Sequence, residues 1–220
     1  MKLAVNNRKK TSAIGTVAAF LVGGFAVLLV ILFAGSRSPG EDPQSVRERN
    51  RNIFLSPSVQ YINPYAYGDT NEGDEMQKLA DCVETLLTDA GFTVFRNDPD
   101  GTLEDAVALS NEKDIGLHLA LHTNAYDGTV RGCEAFVDWG SRDSLKLADL
   151  LVDEITALGI KSRGVKKTST LYETNYTEAE AVVLLEIEFH DNPDGAKWLI
   201  GNREHIAQAI TDAILTYYEE

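Results

Sequence analysis

Residues 185–199, LEIEFHDNPDGAKWL, concentrate side chains able to move protons or hold a metal. Glu186, Glu188 and His190 alternate behind an apolar run at 181–185, and Asn192 follows. Alternate residues of a strand share one face. Charged groups are rarely placed in such a core run without a partner or a task. Residues 116–125, GLHLALHTNA, repeat the form: a strand pattern ending in His122 and Asn124. The two segments hold three of the four histidines in the chain. They predict a metal or acid/base site at the ends of neighbouring strands.

Each group has two readings. His122 can offer a ring nitrogen to a metal or serve as a hydrogen-bonded core histidine. His118 lies four residues earlier, about 13 Å away along a strand, too far to share an ion with it. A supporting role suits His118 better. Glu72 opens a long helical pattern, where acidic residues are favoured by the helix dipole and where a ligand is also well placed. Glu186 and Glu188, with Cα atoms about 7 Å apart, offer a general base acting on water. They also suggest a glycosidase carboxylate pair, which in retaining enzymes stands about 5–5.5 Å apart. His190 and Asn192 line or orient the same cleft.

The elements that must position these groups follow from periodicity. Short apolar or alternating runs at 53–55, 92–95, 117–122, 133–139 and 181–189 predict strands. Apolar residues at helical spacing over 72–90, 142–158 and 203–218 predict long helices, the first two closed by Gly91 and Gly159, and 103–112 a shorter one. Strands alternating with helices predict a three-layer αβα domain with a mostly parallel sheet. Sites in such sheets gather at the carboxyl ends of strands, where the polar clusters after residues 55, 71, 121 and 185 could meet.

Residues 11–36 carry no charge and contain AAFLVGGFAVLLVILFAG. About 20 apolar residues suffice to span a bilayer. Lys2, Arg8, Lys9 and Lys10 precede this stretch and predict a cytoplasmic N-terminus. The expected organisation is a cytoplasmic tail at 1–10, a single transmembrane anchor at 11–36, a polar linker at 37–52 and an extracytoplasmic domain at 53–220. A cleavable signal peptide is the rival, but its apolar region is normally only about 7–15 residues. The net charge is −14, and the first 36 residues contribute +4, so the remainder carries −18. Such a domain is unsuited to nucleic acid or to anionic lipid. The two cysteines, Cys82 and Cys133, are too few for a disulfide framework and are expected as buried thiols.

From residue 53 onward the chain resembles the zinc-dependent N-acetylmuramoyl-L-alanine amidases of the amidase-3 type. The resemblance rests on Leu121-His122-Thr-Asn124-Ala, Arg131-Gly-Cys-Glu-Ala-Phe and Leu185-Glu186-Ile-Glu188-Phe-His190-Asp-Asn192. It implies hydrolysis of the amide between muramic acid and L-alanine in peptidoglycan. It also implies zinc held by Glu72, His122 and a third group, with Glu186 in catalysis. Where the family carries its first histidine ligand, this chain reads Ser56-Pro-Ser-Val59-Gln60. Candidates for the third ligand are His190 and Gln60, then His118. Gln60, His118, Asn124, Glu188 and Asn192 are expected to touch substrate or support the ligands. The alternative function is an amidase-fold module that binds peptidoglycan, or regulates wall hydrolysis, without cutting.

Overall fold

The computed structural model describes residues 49–219. The expected cytoplasmic tail, anchor and most of the linker lie outside the described residues. Among the described residues no helix is long and apolar enough to cross a membrane.

Among the described residues six strands and six helices follow in the order β1 (Asn52–Pro57), α1 (Glu72–Asp89), β2 (Thr93–Arg96), α2 (Leu103–Glu112), β3 (Leu117–Asn124), β4 (Cys133–Val137), α3 (Arg142–Ala157), β5 (Ser162–Lys167), α4 (Tyr172–Tyr176), β6 (Ala181–Phe189), α5 (Pro193–Gly201) and α6 (Arg203–Glu219). The sheet order is β2-β1-β3-β6-β4-β5. All neighbours run parallel except β4 and β6. The mostly parallel three-layer expectation therefore holds with one reversal, and that reversal sends β4 and β5 away from the edge where β1, β3 and β6 end.

Alternation divides the sheet's faces. Ile53, Leu55, Leu117, Leu119, Leu121, Val183 and Leu185 point one way and form one core with the apolar stripes of α1, α3 and α6. Each Å² of apolar surface removed from water here contributes about 25 cal/mol to folding. The other face carries Phe54, Ser56, His118 and Glu186. The ten-residue α2 and the five-residue α4 reach over it, through Ser110 and Glu173.

Local chemistry explains the helix ends near the site. Asn71 caps α1 by accepting from the Asp74 N–H at 2.9 Å, and Glu72, Asp74 and Glu75 fill its first turn. A Cβ at Gly73 would come within 2.5 Å of the Tyr61 ring, so glycine lets the β1–α1 loop fold back onto the helix start. Asn192 caps α5, accepting from Asp194 and Gly195 N–H, with Pro193 at the first helical position.

Arg49, inside the segment expected as linker, already packs against the domain. Arg49 donates to Asp143 Oδ1 at 3.0 Å and to the Tyr217 hydroxyl at 2.5 Å. The Arg51 guanidinium lies 3.9 Å from the centroid of the Phe92 ring, and the Tyr218 hydroxyl donates to the Asn50 carbonyl at 2.6 Å. The C-terminal helix thus clasps the chain where β1 starts. Both cysteines are free thiols. Cys133 is buried as expected, whereas Cys82 is only half-buried on α1.

Candidate active site

The ends of β1, β3 and β6 and the start of α1 converge. His122 and Glu186 are direct partners across the parallel β3–β6 pair, so their side chains leave the sheet on the same face. Glu134 of β4 is the partner of Glu186 on its other side, completing a row of three. The loop after β1 adds Gln60 and Asn63, and α1 adds Glu72.

His122 Nδ1 and Glu72 Oε1 are 3.0 Å apart. Asn63 Nδ2 donates to the other Glu72 oxygen at 2.9 Å and to Gln60 Oε1 at 2.7 Å. The Gln60 amide nitrogen stands 3.5 Å from His122 Nδ1, too far for a good hydrogen bond. The polar clusters after residues 55, 71, 121 and 185 therefore do meet.

Burial and mutual charge shift these groups. Burial would lower the His122 pKa, but its bond to Glu72 and the charges of Glu186, Glu173 and Glu72 outweigh that and raise it to about 9. Burial would raise Glu72, yet the contacts with His122 and Asn63 hold it below the ordinary value. Glu186 is the opposite case. Loss of solvent, joined by the negative charges of Glu72 and Glu134, pushes it up to about 7 against the pull of His122. Its Oε2 is buried and has no hydrogen-bond partner among the described residues. A carboxyl titrating near neutrality with an open lone pair is suited to pass a proton in either direction.

The remaining expected residues occupy other places. His190 is buried on the far side of Thr123. Its Nδ1 lies 3.0 Å from both the Thr123 carbonyl oxygen and Oγ1, and its ring stacks on Tyr65 at 5.3 Å. No contact brings it to Glu72 or His122. Glu188 accepts from the Gly132 and Phe189 N–H groups at 2.6 and 2.8 Å and from Arg131 Nε at 3.1 Å. An extra residue in β6 between the pairs His122–Glu186 and Asn124–Phe189 breaks the alternation, so Glu186 and Glu188 form no carboxylate pair for glycosidase chemistry. Asn124 donates to Glu134 Oε1 at 2.8 Å, while Arg163 at 2.8 Å and Lys166 hold the other oxygen. Asn192 serves as the α5 cap and donates to the Gly128 carbonyl.

Glu173 escapes the sequence reading. It is 2% exposed, lies on the short α4 and accepts from His118 Nε2 at 2.9 Å. Its second oxygen is 4.0 Å from His122 Nε2. The only sequence hint is a lone glutamate between two tyrosines and two threonines, which resembles ordinary surface.

Zinc sets the spacing that such donors must meet. Bonds of about 2.0–2.1 Å meeting near the tetrahedral angle place two donors about 3.4 Å apart. Glu72 and His122 come close to this spacing and supply a carboxylate and an imidazole. The third neighbour, Gln60, is a neutral amide. Among the described residues no three His, Cys, Asp or Glu side chains are grouped to hold one ion. The set fits zinc at two positions and departs from it at the third.

Residues 53–216 match the family model described as N-acetylmuramoyl-L-alanine amidase. The chain belongs to this amidase-3 family, hydrolases that cut the amide between N-acetylmuramic acid and L-alanine of peptidoglycan stem peptides. No curated protein matches the sequence. Among solved structures, the CwlD amidase from Clostridioides difficile, in complex with the GerS lipoprotein, aligns with TM-score 0.70 at 21% identity. That alignment covers 77% of this chain and 99% of that one. The amidase AmiC2 of Nostoc punctiforme aligns with TM-score 0.69 at 19% identity, over 77% and 97% of the two chains. The catalytic domain of CwlV from Bacillus (Paenibacillus) polymyxa var. colistinus gives 0.66 at 20%, over 76% and 98%. Likeness at such low identity establishes the fold. The family match carries the activity.

Proposed function

We propose that the chain is a membrane-anchored amidase in which Glu72 and His122 hold zinc, Gln60 stands at the third position and Glu186 is the general acid/base. The single observation that carries the role of Glu186 is its unpartnered buried oxygen, in register with His122, on a carboxyl titrating near 7. Zinc bound there supplies Lewis acidity toward water and the amide carbonyl. Glu186 takes the proton of the attacking water and returns it to the departing alanine nitrogen. Asn63 holds the outer oxygen of Glu72 and keeps its inner oxygen turned to His122.

The uncharged stretch 11–36 behind four basic residues supports an anchor with the domain on the extracytoplasmic side, where the wall lies. The test uses the full chain in detergent with purified peptidoglycan. New amino-terminal alanine should appear without new reducing sugar ends, and chelation should stop it. Cleavage at an unchanged rate after chelation would remove zinc from the mechanism.

A further inference from the structure

His122 has a carboxylate at each ring nitrogen. Glu72 and Gln60 stand at Nδ1, the metal side in the reading above. Nε2 faces Glu173 Oε2 across 4.0 Å. That gap exceeds a hydrogen bond and closes with a ring shift of about 1 Å.

Glu173 is built in from behind. Being ionised, it can only accept, which assigns a proton to His118 Nε2. His118 Nδ1 in turn meets the Ser110 hydroxyl at 2.9 Å, and the His118 ring stacks on Phe54 at 5.1 Å with planes 8° apart. Ser110, His118 and Glu173 are all buried. Burial alone would make this carboxyl a weaker acid. The bond to His118 and the nearby His122 instead hold it below its ordinary range, with help from Ser56. A buried carboxylate sited only for packing would be replaced at little cost by an apolar side chain. This one is fixed by a chain of side chains that ends at the free nitrogen of His122.

We infer that Glu173, locked by His118 and Ser110, is the positioning residue of the site: it is placed to accept the Nε2 N–H of His122 and so holds Nδ1 toward Glu72 and Gln60, where a metal would take the place of the Nδ1 proton. The inference rests on the zinc reading for its consequence but not for its geometry. Carboxylates that hold the far nitrogen of a ligand histidine typically change metal affinity by about 10–100-fold when removed.

The test is zinc titration of the full chain and of Glu173→Gln, with circular dichroism melts as the folding control. The folded variant should bind zinc about 10–100-fold more weakly than the parent. Glu173→Asp, which keeps the charge, should recover part of the loss. Unchanged zinc affinity in folded Glu173→Gln overturns the inference. Nitrogen-15 spectra of the metal-free parent provide a readout independent of zinc. The His122 Nε2 proton should be exchange-protected and shifted downfield, and Glu173→Gln should move it. Absence of that protected proton in the parent overturns the inference even if no variant folds. A parent that binds no zinc but shows the protected proton, displaced in Glu173→Gln, would sink the zinc reading and leave the positioning role standing.

Discussion

Glu186 and Glu188 stand two residues apart on β6 and have opposite fates. Glu188 is fully buried and all its known partners are protein groups, two backbone N–H groups and Arg131. Glu186 keeps an oxygen without a partner among the described residues, beside His122. The extra residue between them turns one carboxylate into scaffold and the other into chemistry.

The two should therefore fail differently. Glu186→Gln preserves shape but cannot accept a proton, and should lower turnover by about 10²–10⁴-fold with the melting midpoint unchanged. Glu188→Ala should leave Arg131 and two N–H groups without their acceptor and cost about 3–5 kcal/mol of stability. Denaturant melts and the release of amino-terminal alanine separate them. More than a tenth of parent activity in Glu186→Gln would remove it as the base.

His122→Ala should lose zinc and activity together, since it deletes one of two strong donors. Zinc content per chain after dialysis is the measurement. A variant that stays fully metallated would show that His122 is not a ligand.

Gln60→His should tighten zinc, because an imidazole is a stronger donor than an amide. Gln60 is the better place for it than Val59, since its side chain already reaches within 3.5 Å of His122 Nδ1. His190→Ala should leave zinc affinity alone and lower stability, because it removes the contacts with Thr123 and Tyr65. Titration and melts of both variants decide this. Loss of zinc in His190→Ala would reinstate that histidine as the third ligand.

Glu75 sets an acid limit on stability. Burial would raise its pKa, but Lys78, Arg203 and Thr70 hold it below its ordinary 4.5. A lowered folded-state pKa contributes stability above the unfolded value and loses it as pH falls through the folded one. The parent should melt higher than Glu75→Gln at neutral pH, and the gap should shrink as pH drops below about 4.5. A gap constant from pH 7 to 3 would contradict the assignment.

Much of the scaffold was legible because apolar period and end signals agreed. Met76, Leu79, Ala80 and Val83 announced α1, and the alternating leucines of 117–121 announced β3. The edge strand β5, SRGVKK, passed unseen because an exposed edge needs no apolar alternation. The five-residue α4 is too short for a period, and Glu173 went with it. Glu72, His122 and Glu186 were visible from strand ends and a helix start, and the structure brings them together. Counting alternate positions places His190 at the same site. The extra residue in β6, which no period reveals, helps send it to Thr123 instead. Strand spacing separates His118 from His122, and Glu173, from a distant segment, bonds the first and comes within 4.0 Å of the second.

The clasp of Arg49, Asn50 and Arg51 on the C-terminal helix has a mechanical consequence. Tension reaching the domain through the residues before Arg49 meets α6 first and then passes along β1, whose far end opens into the cleft. β1 lies between two parallel neighbours, so a pull along its axis loads both hydrogen-bonded ladders in shear at once and does not peel them bond by bond. In the anchored form proposed above, such a load would pass through β1.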